Sequence, residues 1–91
     1  MTLRQLHYIV AVDTWRHFAT AAAACAVTQP TLSLQIQKLE TEIQVQIFDR
    51  RQVPVVPTLA GRIILQHARA ILREVERLRA SLPVTTAQER K

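Results

Sequence analysis

Leu32, Ile36, Leu39 and Ile43 recur at steps of four, three and four, the register of one face of an α-helix. No other stretch of this 91-residue chain constrains the fold so strongly. The helix start is legible too. Thr28 is a good N-cap, and Pro30 tolerates the first turn, where its missing N–H would have gone unpaired anyway. Just upstream, Phe18, Ala21, Ala22 and Cys25 fall at i, i+3, i+4 and i+7, one stripe of a shorter helix. The run Ala21-Ala22-Ala23-Ala24 favours helix and carries almost no bulk, so a neighbouring helix can approach closely. Only Ala26-Val27-Thr28 separates the two helices.

Two helices joined by a turn of about three residues form the helix-turn-helix layout. Another helix precedes them, from Leu3 to about Thr14, with Thr2 as its cap and Leu3, Leu6 and Val10 along one face. After Ile43 the period drops toward two. A short strand is predicted near Gln46–Phe48, then a polar turn Asp49-Arg50-Arg51-Gln52, then a returning strand from Val53 to Val56. Pro54 and Pro57 confine that strand to an edge. Thr58 caps a long last helix, about Leu59 to Leu82, stopped by Pro83. The expected fold class is therefore mainly α: a winged helix-turn-helix of three helices plus a two-stranded wing, followed by a long linker or dimerisation helix. The expected division is 1–58 for the winged domain, 59–82 for the helix and 83–91 for a tail or linker remnant.

Composition narrows the function. One glycine in the chain argues for helices over sheets and hairpins. The single Cys25 excludes a disulfide framework and reads as a small buried hydrophobe, and the histidines lie too far apart for a local metal motif, so no metal and no cofactor are expected. His17 reads as a surface or capping residue. Apolar stretches are too short to span a membrane, and the N-terminus lacks the apolar core of a signal peptide, so a cytoplasmic location is expected. The net charge of +5 favours an acidic partner such as nucleic acid, yet only +1 of it falls in residues 1–58. Any nucleic-acid reading therefore rests on the motif.

With Leu32, Ile36 and Leu39 buried, Pro30, Leu34, Gln37, Lys38 and Thr41 point outward, Thr31 and Ser33 flank them, and Gln29 stands at the N-terminus. This outward face is short-chained, polar and acid-free. Helix N-terminal amides and small hydroxyls suit DNA phosphates and base edges. Gln can pair two-pronged with adenine, and Ser or Thr with several bases. Leu34 on that face reads as a contact to a thymine methyl, against the alternative of an ordinary exposed leucine. Arg50 and Arg51 read as a phosphate or minor-groove grip, against the alternative of a solvated turn. The expected DNA-binding set is thus Thr28, Gln29, Pro30, Thr31, Ser33, Leu34, Lys38, Arg50 and Arg51.

In the last helix Ile64, Ala68, Ile71, Val75, Leu78 and Leu82 alternate steps of four and three, a heptad seam of nearly three heptads. Leu65 and Leu72 widen it. A small domain can fold only part of such a stripe onto itself, so the six seam residues are expected to meet a second copy.

Ala21-Ala22, Val27 to Ser33, Ile36, Leu39-Glu40, Val45, Ile47-Phe48-Asp49-Arg50 and Thr58-x-Ala60-Gly61 together resemble the N-terminal domain of LysR-type transcriptional regulators. The resemblance covers residues 1 to about 82. Arg16-His17-Phe18, Cys25, Gln29 to Ser33 and Ile71 to Val75 are most similar to the peroxide-sensing OxyR branch. It implies a winged helix-turn-helix with a linker helix, dimeric on an interrupted palindrome in promoter DNA, with antiparallel linker helices and a tetramer in a full-length protein. It maps the DNA-reading positions onto Gln29, Pro30, Thr31, Ser33, Leu34 and Lys38, with Arg50 near the wing. It also implies a larger C-terminal effector domain absent from this chain, hence a fragment that senses nothing by itself. The family's usual glycine after the reading helix is Gln44 here, which must take a strained left-handed conformation or let the helix end differently.

A different class of function, a helical protein–protein adaptor acting through the last helix alone, is the alternative. An enzyme has no support: no Ser/His/Asp grouping, phosphate loop or paired carboxylates are present.

Overall fold

The chain opens on a capping box: Thr2 Oγ1 accepts from the Gln5 amide and Gln5 Oε1 accepts from the Thr2 amide, both at 3.0 Å. In this computed structural model, which describes residues 1–83, that box starts α1, Leu3–Trp15. Arg16 ends α1 in the left-handed region (φ 61°) and turns the chain into α2, Phe18–Ala24. His17 stands at the N-cap of α2 but makes no side-chain capping bond. Ala26 (φ 59°) closes the turn into α3, Gln29–Ile43, where the Thr28 hydroxyl accepts from the Thr31 amide as expected of a cap. Gln44 does take the left-handed conformation, φ 57°, its amide bonding back to Thr41 O. Strands β1, Phe48–Asp49, and β2, Val56–Pro57, pair antiparallel, Phe48 opposite Pro57 and Asp49 opposite Val56. Helix α4, Leu59–Ser81, follows, capped by the Thr58 hydroxyl, which accepts from the Gly61 amide at 2.8 Å.

Leu32, Ile36 and Leu39 of α3 meet Ile9 and Val12 of α1 and Ile47 and Phe48 at the wing base, all fully buried. Each such side chain contributes about 1.5–3 kcal/mol relative to exposure. Ala21 and Ala22 are buried in the same core and provide the close-packing surface, whereas Ala23 and Ala24 of the run are exposed. A Cβ on Gly61 would overlap the backbone carbonyl of Ile47, which explains the one glycine of the chain.

Two expectations need correction. The wing strands lie about two residues later than the period suggests. The amides of Ile47 and Phe48 point at the Glu40 carboxylate, not at a partner strand. On the return side Pro54 has no N–H, and the Val55 amide donates to Arg16 O at 2.9 Å, so pairing waits for Val56. Second, the core does not stop at residue 58. Gly61, Leu65 and Ala68 of α4 are buried, the last two in one cluster with α1, so the first half of α4 belongs to the winged domain. The tail expected at 83–91 falls, beyond Pro83, outside the described residues.

Candidate nucleic-acid interface

Helix α3 is amphipathic in a way that leaves one face uncovered among the described residues. Thr28, Gln29, Pro30 and Thr31 are exposed at its N-terminus, Leu34, Gln37, Lys38 and Thr41 along its outer side, and Ser33 is half-buried on the flank. The first turn carries no acidic residue, so the partial positive charge of the helix N-terminus is not neutralised there. The Thr28 and Thr31 hydroxyls bond one another at 2.9 Å, which orders both side chains at the helix mouth. Leu34 is 50% exposed in the middle of the face. The face is not acid-free to its end, as the sequence suggests: Glu42 borders the groove lined by Leu34, Gln37, Lys38 and Thr41, and it pairs with the amino group of Met1. Gln5 holds the inner side, donating from Nε2 to Gln35 Oε1 at 3.2 Å and tying α3 to α1.

The two wing arginines part company. Arg51 is 90% exposed, its fork laid side-on against Asp49, Nε to Oδ1 at 3.0 Å and Nη2 to Oδ2 at 3.1 Å. Hydrogen bonds from the Arg51 side chain and amide hold the Asp49 carboxyl well below the usual carboxylate range. Arg51 thus keeps donors outward and can reach a phosphate. Arg50, expected beside it as a DNA grip, is largely engaged within the chain, its side chain 30% exposed. Its Nη1 donates to Glu40 Oε1 at 3.2 Å, its guanidinium lies 5.1 Å from the Phe18 ring centroid, and its Nε and Nη2 have no surface or hydrogen-bond partner. Next to Arg51 in the wing turn, Gln52 and Val53 also stand out into solvent.

The seam on α4 also divides. Ala68 lies in the core of its own chain and is not available to a partner, and Ile64 packs partly against that core. Val75 is half-buried, whereas Ile71, Leu78 and Leu82 are exposed, at 40%, 57% and 54%. Arg69 donates to Asp13 at 2.6 Å and Arg16 pairs with the same carboxylate at 3.0 Å, so α4 is fastened to α1 at mid-length. The exposed Leu59 and Ile63 fall outside the heptad pattern.

Sequence reasoning gave Asp13 no role, and Glu40 none beyond its place in the family pattern. Each is a single carboxylate whose partners lie 7–10 and 56 residues away, except for the local Arg16, and no periodicity flags such a residue. Cys25 is half-buried at the edge of the core and not fully buried as expected, and the burial it has pushes its thiol up.

Comparison with known proteins decides the family. Residues 3–62 match the family described as bacterial regulatory helix-turn-helix protein, lysR family. The chain belongs to the LysR family. This LysR-type domain is 47% identical over 79 residues to the hydrogen peroxide-inducible genes activator of Pectobacterium carotovorum subsp. carotovorum, covering 87% of this chain and 26% of that protein. Among solved structures it is similar to the BenM DNA-binding domain in complex with benA site 1 DNA (TM-score 0.86, 39% identity, 88% of this chain and 90% of that one). It is also similar to full-length OxyR C199D from Pseudomonas aeruginosa (TM-score 0.83, 41% identity, 88% and 27%). The LysR-type chain thus spans about a quarter of the length of the curated relatives it matches. Its four helices and two-stranded wing, among the described residues, match the winged helix-turn-helix architecture of these neighbours.

Proposed function

We propose that this chain binds double-stranded promoter DNA in a sequence-specific way, with α3 in the major groove and the wing on the backbone or minor groove, as a homodimer on an interrupted palindrome. The observation that carries the reading is the outer face of α3: exposed Gln29, Pro30, Thr31, Leu34 and Lys38 beyond a capped, acid-free helix N-terminus. Its dimensions suit a major groove about 12 Å wide. Similarity to a domain described in complex with DNA supports it. The exposed Ile71, Leu78 and Leu82 support a second copy along the far half of α4, and the tetramer of a longer protein rests on the family resemblance alone. Likeness to peroxide-inducible activators supports an OxyR-like regulator, and a reader of bacterial promoter DNA works in the cytoplasm.

Fluorescence anisotropy with labelled promoter DNA of that class, against scrambled DNA at two salt concentrations, tests the reading. Tight binding to one sequence, weakening steeply with salt, is the expected result, because each phosphate contact releases counterions. Equal and salt-insensitive binding to both DNAs would overturn it.

A further inference from the structure

Glu40 stands at the point where the reading helix hands the chain to the wing. Its side chain is only 11% exposed, and both carboxylate oxygens are engaged. Oε2 accepts from the Ile47 amide at 2.8 Å and more weakly from the Phe48 amide at 3.4 Å, and Oε1 accepts from Arg50 Nη1 at 3.2 Å. Among the described residues, the hydrogen bonds from α3 to residues 46–57 all end on this one carboxylate. Its partners are themselves fixed from the other side. Ile47 O accepts from the Thr58 amide at 2.9 Å, Gln46 O accepts from the Thr58 hydroxyl at 2.6 Å, and Thr58 caps α4. Arg50 lies over the Phe18 ring of α2, and that ring meets Phe48 edge-on at 6.3 Å.

We infer that Glu40 and Arg50 are positioning residues for DNA recognition: this ion pair sets where the wing stands relative to α3, so that wing and helix engage one duplex together. The inference rests on the DNA-binding reading above and deepens it. Neither side chain touches DNA. A charge network of this kind needs all three arms: the two amide bonds are partly buried, and Arg50 Nε and Nη2 have given up water without gaining a partner. Glutamine cannot replace the glutamate. If its oxygen faces the amides, its NH2 faces the guanidinium; flipped, it faces the amides. One arm is lost in the first orientation and two in the second.

Hydroxyl-radical footprinting on a single half-site reads the two contacts separately. In the wild-type chain, protections are expected both in the α3 segment and in the flanking wing segment. In Glu40→Gln, the α3 protections and base preference persist at saturating protein, the wing protections fade, and affinity falls about tenfold, the loss of one charge-assisted hydrogen bond. Arg50→Met, which keeps the bulk over Phe18, gives the same pattern and decides the matter if Glu40→Gln does not fold. Undiminished wing protections in the variants overturn the inference. So does a parallel loss of both protections, or failure of both variants to fold, since that is a role in stability alone. Residual dipolar couplings without DNA separate this inference from the DNA-binding reading. Residues 48–57 should reorient against α3 in the variants, and unchanged orientations overturn the inference even if the wild-type chain binds no DNA.

Discussion

Helices α3 and α4 are both amphipathic, but they spend their apolar faces differently. The stripe of α3 is consumed within the chain: Leu32, Ile36 and Leu39 are fully buried, and what remains outside is polar apart from Pro30 and Leu34. The stripe of α4 outlasts the core. Gly61, Leu65 and Ala68 are buried against the chain itself, while Ile71, Leu78 and Leu82 stay exposed among the described residues. A completed apolar face frees the other face for a polar partner, and an uncompleted one calls for another apolar surface. On the reading proposed above, α3 takes DNA and the far half of α4 takes a second copy of the chain.

Substitutions can break this contrast, beginning with the largest effect. Ile36→Asp places an unpaired carboxylate in the core and should cost more than about 4 kcal/mol, abolishing the cooperative transition in a urea melt. The same change at Ile71 should leave the fold intact. It should instead turn a dimer into a monomer by sedimentation and lower affinity for a full palindrome toward that for a half-site. A dimer that persists at micromolar concentration would remove α4 from the interface. Gly61→Ala sharpens the division within α4, because its Cβ meets the Ile47 carbonyl. It should destabilise by about 1–3 kcal/mol in thermal melts, as overpacking does. On α3, replacing thymines by uracils across a half-site should weaken the wild-type chain at one position and leave Leu34→Ala indifferent there; equal sensitivity would reject methyl contact by Leu34. The smallest effect concerns the end of α3. Gln44→Gly should raise stability by about 0.5–1 kcal/mol, since glycine takes the left-handed conformation without the Cβ clash but loses more chain entropy.

These elements were not equally legible in the sequence. Thr2, Thr28 and Thr58 announce three helix starts because capping is local chemistry, and all three hydroxyls cap as expected. The α3 stripe is local too. The wing register was not legible, because the Ile47 and Phe48 amides are claimed by Glu40, seven and eight residues back. Arg50 looked like a phosphate-gripping arm because neither Phe18 nor Glu40 is near it in sequence. Ala68 fits a heptad as well as it fits the chain's own core, and spacing alone does not say which surface covers it.

The central claim, that the outer face of α3 reads bases, is tested most directly by in vitro selection from a randomised duplex library with the wild-type chain and Gln29→Ala. The wild type should enrich one sequence repeated with two-fold symmetry. Gln29→Ala should bind that site about 1–3 kcal/mol more weakly and lose its preference at one base position in each half-site, leaving the others intact. If Gln29→Ala keeps the full affinity and the same preference at every position, α3 does not read DNA through its N-terminus and the account is contradicted.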